Sequence, residues 1–210
     1  ARETAFRRTA ARPKVRICSE GDSWFNLPDL PVPVGFPPVF KLYPPDCIDQ
    51  LDKTFEAKPN NTAIWGDTLR NMTSGKQYLQ KLGSGNFRHF LISGGGNDIL
   101  ENIAANLLPR QAGDTNVATV GKYVKPEYDQ KVKKLIAYYN TIHTDVTTRI
   151  NTEVIMYVHG YGNCFPLPGG KYLGQPLKAL NFDPATAPAM ARAIVAALVD
   201  RFNVALAAFS

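Results

Sequence analysis

The sequence predicts an α/β fold, a three-layer α/β/α domain with a mostly parallel sheet. Short apolar runs of strand length alternate with helical patterns, and each run is apolar enough for burial on both faces, as a helix-covered parallel sheet requires. The chain has 210 residues, of which 44% are hydrophobic. This length suits one well-buried domain and is short for two. We therefore expect a basic N-terminal arm at 1–13 and one domain over 14–210.

Four runs are predicted to be strands: 14–20, 61–66, 88–96 and 153–162. Apolar side chains at spacings of three and four over 128–150 predict an amphipathic helix. Residues 183–209 are rich in alanine and apolar around most of the helical circumference, with a helix start signal at Asp183 and Pro184. This last segment is expected to be a largely buried helix, and the β-α-β order implies right-handed crossovers.

The segment 24–46 interrupts this alternation, because it holds seven prolines among aromatic and aliphatic residues. Such a segment cannot be a central strand or the interior of a helix. A stiff apolar loop at this place either forms one wall of a pocket or packs against its own domain with no ligand role. Both interpretations stay open from the sequence.

The net charge of +6 is concentrated at the N-terminus. Residues 1–16 contain six Arg and Lys residues and one acid, Glu3, so the remainder of the chain is nearly neutral. This distribution argues against a nucleic-acid groove on the folded domain, which needs clustered basic residues on a folded face. No apolar run is long enough to span a membrane. The sequence indicates no compartment.

The three cysteines, Cys18, Cys47 and Cys164, are widely spaced and form no C-x-x-C pair. This argues against a disulfide framework or a zinc site. Neither a metal nor an organic cofactor is expected.

Glycine-containing polar motifs follow the predicted strands, at the edge where open parallel sheets bind ligands. They are GDSW at 21–24, GD at 66–67, GGGND at 94–98 and HGY at 159–161. Ser23 offers a hydroxyl at a strand-to-helix turn. Gly66 has no side chain, so its N–H can approach a ligand closely, and the Asn97 carboxamide offers two donors without a charge. These groups suit acyl transfer, which needs a nucleophile and N–H donors for an oxyanion.

The motifs GDSW, the glycine of WGDTL, and GGGND resemble the first three sequence blocks of the SGNH (GDSL) hydrolase family, in their usual order. The resemblance covers about residues 14–100 in specific motifs. It implies a flavodoxin-like fold and a serine esterase or lipase, with Ser23 as nucleophile and an oxyanion hole formed by Ser23 N–H, Gly66 N–H and the Asn97 side chain. The implied substrate is a small-molecule carboxylic ester.

The family's fourth block, an Asp-x-x-His segment that supplies the base and its orienting acid, does not occur in this sequence. We therefore expect a final strand and the catalytic Asp and His in a C-terminal segment beyond Ser210, carried by a longer or cleaved gene product. A non-catalytic SGNH-like binding domain that lacks the base is the alternative.

Other residues at the predicted site have less specific roles. His159 is at the correct edge to contact substrate or to replace the missing base, whereas His89 opens a strand at the opposite edge and His143 lies on an apolar helix stripe. Trp24 is a candidate pocket wall. The three glycines before Asn97 could bind a phosphate, but the spacing of known nucleotide-binding motifs is not met.

Overall fold

The computed structural model describes residues 14–27, 45–150 and 153–209. The predicted N-terminal arm, most of the proline-rich segment and Ser210 lie outside these ranges. Within the described residues, the chain forms a small parallel sheet and flanking helices, which confirms the predicted α/β class.

Three parallel strands form the sheet, in the order β1 (Ile17–Gly21), β2 (His89–Ser93) and β3 (Ile155–Val158). β2 and β3 lie inside two of the four predicted strands, and β1 overlaps a third and ends one residue after it. Gly21 pairs with Ser93 at the carboxyl ends of β1 and β2. The motifs that follow β1 and β2 therefore leave the sheet side by side.

The helices begin and end as follows: α1 Cys47–Leu51, α2 Leu69–Gly75, α3 Gln77–Gly83, α4 Gly96–Leu100, α5 Glu127–Arg149, α6 Gly174–Ala179 and α7 Pro188–Ala207. Three short 3₁₀ helices cover Lys58–Asn60, Ile103–Asn106 and Val117–Tyr123.

The prediction of a regular strand at 61–66 is wrong. Asn61 makes one isolated parallel bridge to Ser19 of β1. Two further backbone bonds tie this segment to β1, from Thr62 N to Ser19 O at 2.8 Å and from Ile64 N to Gly21 O at 2.9 Å. The 3₁₀ helix Lys58–Asn60 ends just before it, and a turn follows at Gly66, so the pairing stops after these contacts.

Alternate residues of the sheet join two different cores. Cys18, Phe90 and Ile92 pack into the main core, together with α2, α3, α5 and α7. On the opposite face, Ile17 belongs to a smaller core with Ile48 of α1. Helices therefore lie on both faces of the sheet, and the layer on the α1 side is small in the described residues.

The edge strand β3 departs from the predicted burial of both faces. Ile155 and Tyr157 are 54% and 43% exposed. They align with His89 and Leu91 of β2, on the face that carries α1. Since α1 packs near β1, it does not reach β3, and the prediction is wrong for this strand.

Helix α5 matches the predicted helix closely, but His143 is exposed rather than packed in the buried stripe. Helix α7 begins at Pro188, later than the predicted start at Asp183. The carbonyl of Asp183 accepts the amides of Thr186 and Ala187, so Asp183 begins a turn that precedes the helix. Among the described helices, none is long and apolar enough to cross a membrane.

Candidate active site

Ser23 lies in a tight turn at the carboxyl end of β1. The carbonyl of Asp22 accepts the amides of Phe25 and Asn26, each at 3.1 Å, which closes the turn. A Cβ on Gly21 would approach the carbonyl oxygen of Ser93 within 2.9 Å, so only glycine allows the two chains to pass this closely. The side chain of Ser23 is half-buried, and its hydroxyl makes no hydrogen bond to a described residue. It is free to meet a ligand.

The carboxylate of Asp22 lies beneath this turn and is only 1% exposed. Its Oδ1 accepts the Ser93 hydroxyl at 2.8 Å and the Trp24 amide at 3.1 Å. Its Oδ2 accepts the Tyr161 hydroxyl at 2.8 Å. Burial and the neighbouring Asp22 charge raise the pKa of Tyr161 well above its ordinary value, so this hydroxyl keeps its proton. Beneath Ser23, this network connects the carboxyl ends of β1 and β2 to the segment that follows β3.

Gly66 occupies the turn that follows the segment paired with β1. Its φ is +79°, a left-handed conformation that disfavours other residues. The Asp67 amide donates to Ile64 O at 3.0 Å and closes the turn. The amide of Gly66, by contrast, donates to no acceptor in the described residues. The amide of Ser23 also donates to no acceptor in the described residues.

Asn97 lies in the first turn of α4, next to the glycines that follow β2. Its Nδ2 donates to the carbonyl oxygen of Asp67 at 2.8 Å. This bond uses one N–H and directs the carboxamide toward the Gly66 turn, and the second N–H has no acceptor among described residues. Asp98 points elsewhere, since its Oδ2 accepts the Leu69 amide at 3.0 Å, and burial raises its pKa.

Two cavities meet at Ser23 and Asn97. The narrow cavity has a volume of about 180 Å³ and is lined by Asp22, Ser23, Trp24, Gly96, Asn97, Ile99, Leu100, Tyr161, Gly162, Cys164 and Val199. The wide cavity has a volume of about 380 Å³ and is lined by Ser23, Trp65, Gly66, Asn97, Leu100, Glu101, Tyr172 and Leu173. The structure therefore brings Ser23, Gly66 and Asn97 to one cavity, and it places Trp24 in the wall of the other.

His159 packs beside this site without lining either cavity in the described part of the chain. Its ring lies 5.3 Å from the Tyr161 ring and 6.5 Å from the Trp24 ring, measured between centroids. Its Nδ1 is 2.9 Å from the carbonyl oxygen of Gly160, which can only accept, so Nδ1 carries the proton. Its Nε2 is buried and has no partner among the described residues.

The other two histidines lie away from both cavities. His89 is the first residue of β2, at the amino end predicted for it, and its Nδ1 lies 3.0 Å from the Tyr157 hydroxyl. His143 lies on α5 and contacts the ring of Phe209. Within the described ranges, no group of three His, Cys, Asp or Glu side chains is placed to hold a metal ion.

Sequence reasoning assigned no role to four residues that shape the site. Asp22 and Tyr161 were present in the quoted motifs, but their pairing joins positions 139 residues apart and needs the fold to be known. Trp65 directly precedes Gly66, and this position next to a predicted site residue was the available signal. Tyr172 lies in the loop at 166–174 that follows the HGY motif, and this position was the available signal.

The fold resembles that of a known enzyme. The match is to a crystal structure of an extracellular lipase from Streptomyces rimosus, with a TM-score of 0.51 and 17% sequence identity. It covers 93% of this chain and 75% of the lipase chain. At this identity the similarity shows a lipase-like α/β fold alone. No protein-family model and no curated protein matches the sequence.

Proposed function

We propose that this chain is a serine esterase of the SGNH (GDSL) type, which hydrolyses carboxylic esters through an acyl-enzyme on Ser23. The observation that carries the proposal is that Ser23, Gly66 and Asn97, from three separate segments, line one cavity. These are the residues on which the sequence resemblance rests. The lipase-like fold is consistent with the same chemistry.

The hydrogen-bonding state of these residues supports the assignment of an oxyanion hole. The amides of Ser23 and Gly66 and one N–H of Asn97 lack acceptors among the described residues, while the groups around them are bonded. Donors that are already oriented can stabilise the charge that develops on a carbonyl oxygen when Ser23 attacks the carbonyl carbon. Water then releases the acid from the acyl-enzyme.

A base must take the Ser23 proton. We assign His159 to shaping the narrow cavity, because its ring packs on Trp24 and Tyr161 and it lines neither cavity. The Asp-x-x-His segment expected from the resemblance lies outside the described residues and stays a prediction.

The test is hydrolysis of p-nitrophenyl acetate by the full gene product and by its Ser23→Ala variant. We expect the variant to lose turnover, and we expect a fluorophosphonate probe to form one covalent adduct on the Ser23 peptide, detected by mass spectrometry. Ser74→Ala, which alters an exposed serine on α2, is the matched control and should keep full activity. Equal rates for wild type and Ser23→Ala, with no adduct, would reject the esterase and favour the binding domain.

A second variant tests the base. His159→Gln should keep most of the Ser23-dependent hydrolysis, because we assign the ring a packing role. Loss of turnover equal to that of Ser23→Ala, in a folded protein, would instead identify His159 as the base.

A further inference from the structure

We infer that the two cavities divide the substrate, so that the narrow cavity binds a short acyl group and the wide cavity binds a neutral aromatic alcohol. This inference rests on the proposed function and adds the substrate class. It starts from one geometric fact, that Ser23 and Asn97 line both cavities. An ester carbonyl held at Ser23 can therefore direct one substituent into each cavity.

The size of the narrow cavity limits what it can hold. A cavity of about 150 Å³ in another protein holds one benzene molecule. The narrow cavity, at about 180 Å³, therefore has room for about six carbon atoms. Ile99 and Val199 in its lining are fully buried and Tyr161 is 8% exposed, so its inner wall cannot retreat without disturbing the core.

The wide cavity differs from it in size and in its residues. Its volume of about 380 Å³ falls in the range of small-molecule sites. Trp65 and Tyr172 are 53% and 70% exposed, an unusual state for two large aromatic side chains at one cavity. Aromatic rings pair favourably with other rings, either offset or edge to face. These two side chains therefore favour a flat aromatic group.

The charges of the side chains that line the wide cavity further restrict the class of alcohol. Among the described lining residues, Glu101 is the one charged side chain, and no Lys or Arg is present. This lining offers no cationic side chain to a phosphate or a sulfate on the alcohol. A neutral alcohol fits these residues best.

The order of the reaction decides which substituent enters which cavity. The alcohol leaves first, whereas the acyl group stays bonded to Ser23 until water attacks. The exposed aromatic walls of the wide cavity let an alcohol depart, and the buried inner wall of the narrow cavity suits a group that remains attached. The acyl group is therefore assigned to the narrow cavity.

The experiment measures kcat/KM of the full gene product for two ester series. The acyl series is 2-naphthyl acetate, butanoate and decanoate, and the alcohol series is 2-naphthyl acetate and ethyl acetate. Wild type should prefer acetate and butanoate to decanoate. The naphthyl-to-ethyl ratio is compared between variants, because 2-naphthol is a better leaving group than ethanol in any active site. Cys164→Phe, which fills the narrow cavity, should lower the butanoate-to-acetate ratio at least about tenfold. Asn163→Phe, at the exposed neighbouring residue, is its control.

Trp65→Ala should lower the naphthyl-to-ethyl ratio about three- to tenfold and leave the acyl series unchanged. Ile64→Ala, an exposed apolar neighbour that lines neither cavity, is its control. Exchanged effects, in which Trp65→Ala changes the acyl series and Cys164→Phe changes the alcohol series, would overturn the assignment. Unchanged ratios in active variants would also overturn it, and the proposed esterase would stand.

A binding measurement keeps the inference testable if the esterase proposal itself fails. Calorimetry with 2-naphthol and the Ser23→Ala protein needs no turnover. The affinity should fall about three- to tenfold in Ser23→Ala/Trp65→Ala and remain unchanged in Ser23→Ala/Ile64→Ala. Absence of binding, or equal binding to both double variants, rejects the aromatic-alcohol site.

Discussion

The Tyr161 hydroxyl donates to Asp22 Oδ2 at 2.8 Å in the buried layer directly beneath Ser23. Because Asp22 also accepts the Ser93 hydroxyl and the Trp24 amide, its carboxylate has a donor on each oxygen. This bond joins the segment after β3 to the turn after β1. The bond stabilises the turn that positions Ser23, and neither of its two residues is a reacting group.

Tyr161→Phe should therefore lower stability and turnover together. Loss of one donor to a buried carboxylate costs about 1 to 3 kcal/mol of unfolding free energy. Tyr161 is a positioning residue, so kcat should fall more than KM rises. Urea denaturation and steady-state kinetics measure the two effects. Tyr138→Phe is the control, because the Tyr138 hydroxyl makes no hydrogen bond within the described residues; if both variants behave alike, the positioning role is wrong.

Gly66→Ala tests whether turnover depends on the orientation of the Gly66 amide, since alanine keeps this N–H but strains the positive-φ turn that orients it. An added Cβ meets nothing within 4 Å, so the cost comes from the positive φ of 79° and should be about 1 to 2 kcal/mol. Gly113 is a close match, with a φ of +78° and equally open space. Gly113→Ala should destabilise the protein to a similar extent and leave kcat unchanged, whereas Gly66→Ala should also lower kcat. Equal kcat values for the two variants would contradict a role for the Gly66 amide.

The sequence was sufficient to predict the parallel sheet, because β1 and β2 lie in short runs of strand length that lead into glycine-containing polar motifs. Helix α5 was predictable for a similar reason, its apolar spacing over 23 residues. The prediction of a strand at 61–66 failed for a tertiary reason. The conformation of this segment depends on bonds to Ser19 and Gly21 rather than on its own strand propensity.

Only part of the candidate site could be predicted from the sequence, because the rest depends on how distant segments pack together. A motif such as GDSW identifies Ser23, since a local turn determines where its hydroxyl lies. Its partners come from distant positions, and neither the Asp22–Tyr161 bond nor the exposure of Trp65 leaves a pattern in the sequence. Cavity volumes and free N–H groups appear only when the segments are packed together.

Asn97→Ala should reduce kcat at least a hundredfold, equivalent to roughly 3 to 4 kcal/mol of transition-state stabilisation, with a smaller effect on KM. The variant also loses the bond to Asp67 O, so a control is needed for that structural effect. Asn106→Ala is a suitable control, because Asn106 is buried and lines neither cavity. Its Nδ2 donates to the Ile99 carbonyl at 3.2 Å. This control should lose stability and keep its kcat. An unchanged kcat in Asn97→Ala would remove Asn97 from the oxyanion hole.

The buried Glu20 should make stability depend on pH near neutrality. It is 1% exposed, and burial raises its pKa from 4.5 to about 7, despite hydrogen bonds from Thr62 Oγ1 and the Gly21 amide. Since the folded state holds this proton more tightly than the unfolded state, the stabilisation is complete below pH 4.5 and is lost as the pH rises toward 7. The loss is on the order of 3 kcal/mol.

Glu20→Gln removes this titration and keeps the size of the side chain. The variant should gain stability relative to wild type at pH 8, and the difference should shrink at pH 5. Urea denaturation at both pH values measures it, and Glu127→Gln at an exposed position of α5 controls for the change in net charge. A constant difference between Glu20→Gln and wild type at the two pH values would show that Glu20 is ionised throughout. Glu20 would then hold a buried charge rather than a neutral carboxyl group.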